Sequence, residues 1–369
     1  WGLAWLMAAA VAAAGCSGGE PAGPAEPPPA PDAPADPPAP PPAGEGTGAP
    51  DGGSPAGDAD GSTPPAPIPG LSDPAATPLT RAVYQSLRGL REGKLRRVLF
   101  GQQEADTSSR GANGLEPLRS DVEAITGRFP AVVSYELYNA YPGSLTAFDA
   151  AGLRAGLPKL RARLLDKYRR GALTSRVWHT RCPKQRPSDN DAFAPGECPA
   201  SYTLAELLAA KPGGGSGVHA AAWSATLDAL AELFLSLRTD DGELLPVLFR
   251  PFHEVTGDWF WWGRTNPPAV YRAAYRAMVE GLRARGVHNV LWVYCPDKPT
   301  DPYQVGQGGD FRAYYPGDDV VDVVGFDRYD DNSGAFAPGF AADLKAVGSF
   351  ATEHRKVAAV TEVGRNFAV

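Results

Sequence analysis

Two glutamates each close a short apolar run. Leu245–Phe249 leads into Arg250-Pro251-Phe252-His253-Glu254, and Val357–Thr361 ends at Glu362. They lie 108 residues apart in the chain, so only a sheet that curls back on itself brings them together. Two carboxyls about 5–5.5 Å apart can open a glycosidic bond with retention of configuration. One gives a proton to the leaving oxygen while the other attacks the anomeric carbon, and water then releases the glycosyl-enzyme. The neighbouring carboxylate raises the acid's pKa, and that rise disappears once the nucleophile is esterified. The alternative is that each glutamate makes a salt bridge at the rim of a fold. A second feature is Asp258-Trp259-Phe260-Trp261-Trp262-Gly263. Four consecutive aromatics after a strand end cannot all face one core. Flat rings suit the apolar C–H faces of sugars, and packing at the rim is the competing use, so one or two rings are expected exposed and the others buried.

The elements that must position these groups alternate along the chain. Strand candidates are Arg97–Phe100, Ala131–Tyr135, Ser175–His179, Leu245–Phe249, Asn289–Tyr294, Val320–Phe326 and Val357–Thr361. Helical stripes fall between them: Leu153, Leu157, Leu160, Leu164 and Tyr168; Trp223, Leu227, Leu230, Phe234 and Leu237; Tyr271, Tyr275, Met278 and Leu282. Each is one buried helix face. Apolar strands separated by helices imply a parallel sheet covered by helices. The expected fold is α/β, a (β/α)8 TIM barrel. The chain stops at Val369, seven residues after Glu362, so the barrel reads as lacking its eighth βα unit. No Gly-x-Gly-x-x-Gly follows the first strand and no phosphate-loop signature occurs, which disfavours nucleotide binding. In a barrel the chemistry sits at the C-terminal strand ends. Those ends carry Gln102 and Gln103; Glu136, Tyr138 and Asn139; Trp178 and His179; Arg250, His253 and Glu254; Trp292 and Tyr294; Asp327, Arg328 and Tyr329; and Glu362.

The bulk numbers narrow the partners. A net charge of −7 and a pI near 5.4 lack the basic balance that nucleic-acid binding or an anionic membrane surface calls for. The chain divides unevenly, with many of its 38 Pro and 42 Gly before residue 78. Residues 1–15 read as the apolar part of a signal peptide, too short to span a bilayer. Ala13-Ala14-Gly15-Cys16 resembles a bacterial lipobox, which makes Cys16 the expected lipidation site and the protein an exported, membrane-anchored lipoprotein. An ordinary secretory signal with an incidental cysteine is the alternative. Residues 16–77 are too poor in large apolar side chains to fold and are expected to be a tether. Residues 78–369 form the expected catalytic domain, and a monomer is the default.

Arg250-Pro251-Phe252-His253-Glu254, followed by Gly257 and Trp259-Phe260-Trp261-Trp262-Gly263, resembles family 26 of the glycoside hydrolases, whose best-known members are endo-β-1,4-mannanases. The likeness runs from Gly101-Gln102-Gln103 to Thr361-Glu362-Val363-Gly364. It implies a (β/α)8 barrel, retention, Glu254 as acid/base and Glu362 as nucleophile, with β-mannan or a related plant polysaccharide as substrate. It further implies that His253 contacts the nucleophile and the sugar, and that Tyr329 bonds the nucleophile. His179, Trp259 and Trp262 would line the subsites, with Arg250 beneath fixing the carboxylates. Asp327 and Trp292 are weaker candidates for the same wall. Mixed-linked β-glucan and β-1,3-xylan stay open as substrates, as does a non-catalytic glycan-binding barrel.

The five His show no metal-ligand spacing, so no metal or organic cofactor is implied. Cys182 and Cys198 bracket a polar, Pro-rich loop after the third strand. In an exported protein a disulfide there would close about 15 residues and contribute roughly 3 kcal/mol. Cys295 is expected to be a reduced thiol.

Overall fold

The computed structural model describes residues 66–94, 97–105, 120–137, 150–180, 198, 203–209, 220–330 and 333–365. Its strands are β1 (Gly101–Gln103), β2 (Val132–Glu136), β3 (Leu173–Trp178), β4 (Val247–Pro251), β5 (Val290–Tyr294), β6 (Val323–Val324), β7 (Asp327–Asp330), β8 (Val357–Ala358) and β9 (Glu362–Arg365). The helices are α1 (Pro78–Arg91), α2 (Asp121–Thr126), α3 (Ala150–Arg169), α4 (Leu204–Ala209), α5 (Ala220–Ser236), α6 (Pro268–Arg283), α7 (Pro302–Gly306), α8 (Phe311–Tyr314) and α9 (Ser333–Glu353). Seven strands form one parallel sheet in the order β1-β2-β3-β4-β5-β6-β8, and β7 and β9 form a parallel pair. Among the described residues, no helix is long and apolar enough to cross a membrane.

The period-2 alternation of each strand divides the core in two. Val132, Leu248, Leu291, Val293, Val323, Val357 and Ala359 point to one cluster, which α1 joins through Tyr84, Leu87 and Leu90. The alternate residues Val247, Phe249, Val290, Trp292 and Tyr294 join the larger cluster with α5 and α6. The stripes of α5 and α6 are buried as their spacing requires: Trp223, Leu227, Leu230 and Phe234 on one, Tyr271, Tyr275, Met278 and Leu282 on the other. The inward register becomes more polar toward the C-terminal strand ends. Leu248 gives way to Arg250, Val293 to Cys295, Val323 to Gly325 and Asp327, and Ala359 to Thr361. Gly325 is required there, because a Cβ would come within 2.5 Å of the Thr361 side chain.

Two expected strands are shorter and broken in the structure. The run 320–326 gives only β6, followed by β7, and the run 357–361 gives β8, followed by β9. The register explains this. Val324 pairs with Ala358 and Asp327 pairs with Glu362, so two residues on one strand oppose three on the other. The extra residue is a bulge-like interruption, a device that re-aims side chains beside functional sites. The first strand likewise begins at Gly101, after the run 97–100.

The boundary expected at residue 78 is also corrected. Ile68, Ser72, Asp73 and Ala76 are buried. The Ser72 amide donates to Asp322 Oδ1 at 2.6 Å, Lys356 Nζ donates to Gly70 O at 2.8 Å, and Asp73 Oδ2 lies 2.9 Å from His288 Nδ1. These residues have backbone and side-chain partners in the folded unit, so they are not tether.

Candidate active site

The site is built at the C-terminal ends of β2 to β5 and along the β7–β9 pair. Glu362 opens β9, where its carboxylate accepts from two donors. Arg250 Nη2, from the end of β4, donates to Oε1, and the Tyr329 hydroxyl of β7 donates to Oε2 at 2.7 Å. The other arm of the same guanidinium donates to Asp327. Arg250 is buried, and so are both carboxylates. Burial alone would raise the Glu362 carboxyl, but Arg250, by charge and hydrogen bond, with His179 and the Tyr329 hydroxyl, outweighs it and holds Glu362 below its ordinary value. Asp327 is pushed the other way, to about 6, by burial against the pull of Arg250 and with the push of Glu362.

Glu254 follows β4 in a strained turn. Phe252 and Glu254 both take left-handed backbone conformations, at φ of 48° and 53°, which cost side-chain-bearing residues energy and cluster at functional sites. Trp259 Nε1 donates to Glu254 Oε2 at 2.7 Å. Gly257 makes room for this ring, since a Cβ there would fall 2.4 Å from it. Burial pushes the Glu254 carboxyl well above its ordinary value, and the charges of Asp297, Asp327 and Glu362 push it further. Their surroundings therefore push the two glutamates in opposite directions, Glu254 toward keeping its proton and Glu362 toward losing it.

On the other flank, His179 is clamped by Glu136, whose carboxylate accepts from the His179 amide at 2.9 Å and pairs with Nδ1 at 2.5 Å. Burial lowers the His179 pKa, but the charge and hydrogen bond of Glu136 together with the charge of Glu362 outweigh it, and the net shift is upward. His253 moves well below its ordinary value through burial, then through the charges of His179 and Arg250. The two rings meet Nε2 to Nε2 at 3.0 Å, so one proton is shared between them.

The sequence-expected residues separate into two groups. Glu254, Glu362, Arg250, His253, His179, Trp259, Asp327 and Tyr329 converge. Trp292 does not: it faces the helix layer, with its ring 5.7 Å from Phe249 and 6.3 Å from Tyr275, because the strand alternation turns it away from the interior. Trp262 is fully buried, stacks on Phe260 at 4.3 Å and donates from Nε1 to His253 O, so it supports the turn instead of lining a subsite. In the aromatic run only Trp259 is substantially exposed, at 40%. Glu136 and Asp297 have parts in the site that sequence reasoning did not assign. Both lie at or just past strand ends, and that position was the available signal. Cys16 and Cys182 lie outside the described residues. Cys198 is disulfide-bonded, and Cys295 is a buried free thiol. Its Sγ lies 3.0 Å from Thr361 Oγ1 and 3.5 Å from Arg250 Nη1.

His253, Asp327 and Glu362 bring ligand-type atoms within 4.8 Å of one another. The Arg250 guanidinium already supplies positive charge to both carboxylates of that trio, which marks it as an ion-pair network.

A parallel α/β sheet that sets two buried carboxyls, shifted in opposite directions, at its C-terminal edge defines a carboxylate-pair site. The sequence model of glycosyl hydrolase family 26 matches residues 72–365, and the chain belongs to that family. It is 34% identical over 303 residues to a mannan endo-1,4-β-mannosidase of Bifidobacterium adolescentis, covering 80% of this chain and 28% of that protein. Among solved structures, it is similar to a modular endo-β-1,4-mannanase from Cellulomonas fimi, with a TM-score of 0.64, 30% identity and coverage of 81% and 62% of the two chains. It is also similar to a GH26 β-mannanase from Bacteroides ovatus, with a TM-score of 0.62, 29% identity and coverage of 78% and 77%. The chain spans 28% and 47% of the length of the first two curated relatives it matches.

Proposed function

We propose that this chain is a retaining endo-β-1,4-mannanase on a (β/α)8-type scaffold, with Glu254 as acid/base and Glu362 as nucleophile. The observation that carries the reading is the contrasting setting of these two buried carboxyls, Glu362 held by Arg250 and Tyr329 and Glu254 by the Trp259 N–H. It pushes them in opposite directions, the division of labour that double displacement needs. Trp259 donates to Glu254 Oε2, which leaves the proton on Oε1, free for the glycosidic oxygen. Glu362 attacks the anomeric carbon as the leaving group departs. Arg250 and Tyr329 hold its two oxygens, so the nucleophile is fixed before substrate arrives. Esterification removes the Glu362 charge and with it one of the contributions that raise Glu254. Glu254 can then take a proton from water in the second step. The exposed ring of Trp259 stacks on a sugar beside the scissile bond, and His253 and His179 face the same sugar ring. The mannosidase and mannanase names of the relatives favour β-mannan.

The test is reducing-sugar release from galactomannan, glucomannan, mixed-linked β-glucan and β-1,3-xylan, with Glu254→Ala and Glu362→Ala controls. Mannan cleavage lost in both variants, with the β-anomer formed first by NMR, is the expected result. Cleavage of another glycan with the same losses keeps the mechanism and changes the substrate. A folded protein that binds mannan and cuts none of the four is a glycan-binding barrel.

The proposal includes export and a lipid anchor at Cys16, with residues 16 to about 65 as the tether. Metabolic labelling with a fatty acid, lost in Cys16→Ser, tests the anchor.

A further inference from the structure

Past the end of β5 lies a buried carboxylate that the steps above leave unused. Asp297 is 3% exposed, and its Oδ2 accepts from the side-chain amide of Gln304 in α7. Its backbone is clasped to the turn that follows Glu254. The Asp297 amide donates to Thr256 Oγ1 at 2.9 Å, and the Thr256 hydroxyl donates to Asp297 O at 2.7 Å. On its other side a single parallel bridge joins Asp297 to Asp327. The backbone of Asp297 is therefore fixed between the Glu254 turn and the strand that carries Asp327 and Tyr329, and Gln304 holds its carboxylate. Its one described side-chain donor is a neutral amide, which stabilises an anion without cancelling its charge. The charged groups that act on Asp297 are Lys298, Asp327 and Asp343. Those that act on Glu254 are Asp297, Asp327 and Glu362, and Tyr329 lies within the field of Glu254.

We propose that Asp297 is a positioning residue for the general acid: fixed beside the Glu254 turn by Thr256 and Gln304, its negative charge keeps the proton on Glu254. This rests on reading Glu254 as the acid/base. The directions in which these carboxyls are pushed support it. Glu362 is held low, Asp327 sits at about 6, and Asp297 is pushed to about 7 by burial, against the Gln304 hydrogen bond. Glu254 is pushed well above its ordinary value by burial first and by Asp297 next. Wherever Asp297 is ionised, its like charge opposes the ionisation of Glu254. The two titrate as a coupled pair. The consequence is a working range that reaches further into alkaline pH than burial of Glu254 alone would give.

The test is the pH dependence of kcat/KM on the preferred glycan for wild type, Asp297→Asn and Gln304→Met. Asn keeps the shape and removes the charge. Met removes the amide, so Asp297 keeps its proton to higher pH and exerts its charge later. The alkaline limb is expected to move to lower pH in both, by about half a unit or more in Asp297→Asn, while the acid limb set by Glu362 stays. A purely structural role would lower the rate at every pH and leave the limb in place. In parallel, Glu254 is titrated by 13C NMR of carboxyl-labelled protein, with Glu254→Gln assigning the signal. This readout needs no substrate. If wild type cleaves no glycan, the functional reading fails, and the NMR titration still decides the part played by Asp297. An unmoved limb and an unmoved Glu254 titration in both variants overturn the proposal. If Asp297→Asn does not fold, the limb and the titration of Gln304→Met decide between the same two outcomes.

Discussion

Arg250→Met removes a buried cation that two buried carboxylates share. The Met side chain keeps most of the aliphatic volume and none of the donors. In the wild type the two arms of the guanidinium reach Asp327 and Glu362 separately. Without them Asp327 loses its paired cation, and Glu362 keeps only the charge of His179 and the Tyr329 hydrogen bond. Breaking a buried pair by removing one partner costs about 3–5 kcal/mol. At about 2 °C or more per kcal/mol for a domain of this size, thermal unfolding at pH 8 should fall by roughly 6 °C or more. The sign of the pH dependence follows from linkage. Glu362 is held below its ordinary value in the wild type, so its contribution is present above the unfolded pKa and lost as pH falls through the folded one. In the variant, burial dominates and both carboxyls bind protons more tightly folded than unfolded. Their penalty then grows as pH rises and shrinks as pH falls. The variant should therefore recover part of its lost stability at pH 5. The acid limb of its residual kcat/KM should shift upward, because Glu362, the proposed nucleophile, must be ionised to attack. Differential scanning fluorimetry at the two pH values and the pH–rate profile make the measurement. A variant as stable as wild type at pH 8, with its acid limb unmoved, would refute the reasoning.

Three further outcomes follow from the same geometry. Tyr329→Phe deletes the hydroxyl that donates to Glu362 Oε2; a hydrogen bond to a charged group is worth about 1.5–3 kcal/mol, so kcat should drop roughly ten- to a hundredfold and the acid limb should rise. Trp259→Phe keeps a ring but loses the donor that lowers Glu254, so steady-state profiles should show the alkaline limb moving up. Gly257→Ala places a methyl 2.4 Å from the Trp259 ring; the displaced ring should raise KM and change the tryptophan fluorescence with little loss of thermal stability.

The two carboxylates were legible because each closes an apolar strand run, and a parallel sheet leaves such residues at one edge. The helix stripes were legible for the same periodic reason. What was not legible depends on which face of a strand a residue takes. Trp292 and Arg250 lie on neighbouring strands near the same edge. Trp292 pairs in register with Phe249, and both turn toward the helices, whereas Arg250, one position on, turns inward. The break between β6 and β7 was hidden because Val320–Phe326 is apolar apart from Asp322, and composition does not reveal a register that slips by one residue. Trp262 was misplaced because a run of aromatics does not say which ring stacks inward. Glu136 and Asp297 act through partners distant in sequence, His179 and the Glu254 turn, which only the folded chain brings together.

The stretch from Ile68 to Ala76 bears on how this domain can be cut from its chain. Asp322 accepts from the Ser72 amide with one oxygen and from the Trp292 amide with the other. A fragment starting at Pro78, where helical sequence begins, would take away the first of these donors and strip Lys356 of the Gly70 carbonyl. It would also open the inner core beneath Tyr84 by removing Ile68. The carboxylate left half-served belongs to the segment that runs on through β6 to Asp327. An excision chosen by composition would thus fray the sheet from below, on the strand that supplies Asp327 and Tyr329. The last residues of the apparent leader behave as a seal on the base of the sheet, and a trimmed enzyme has to keep them.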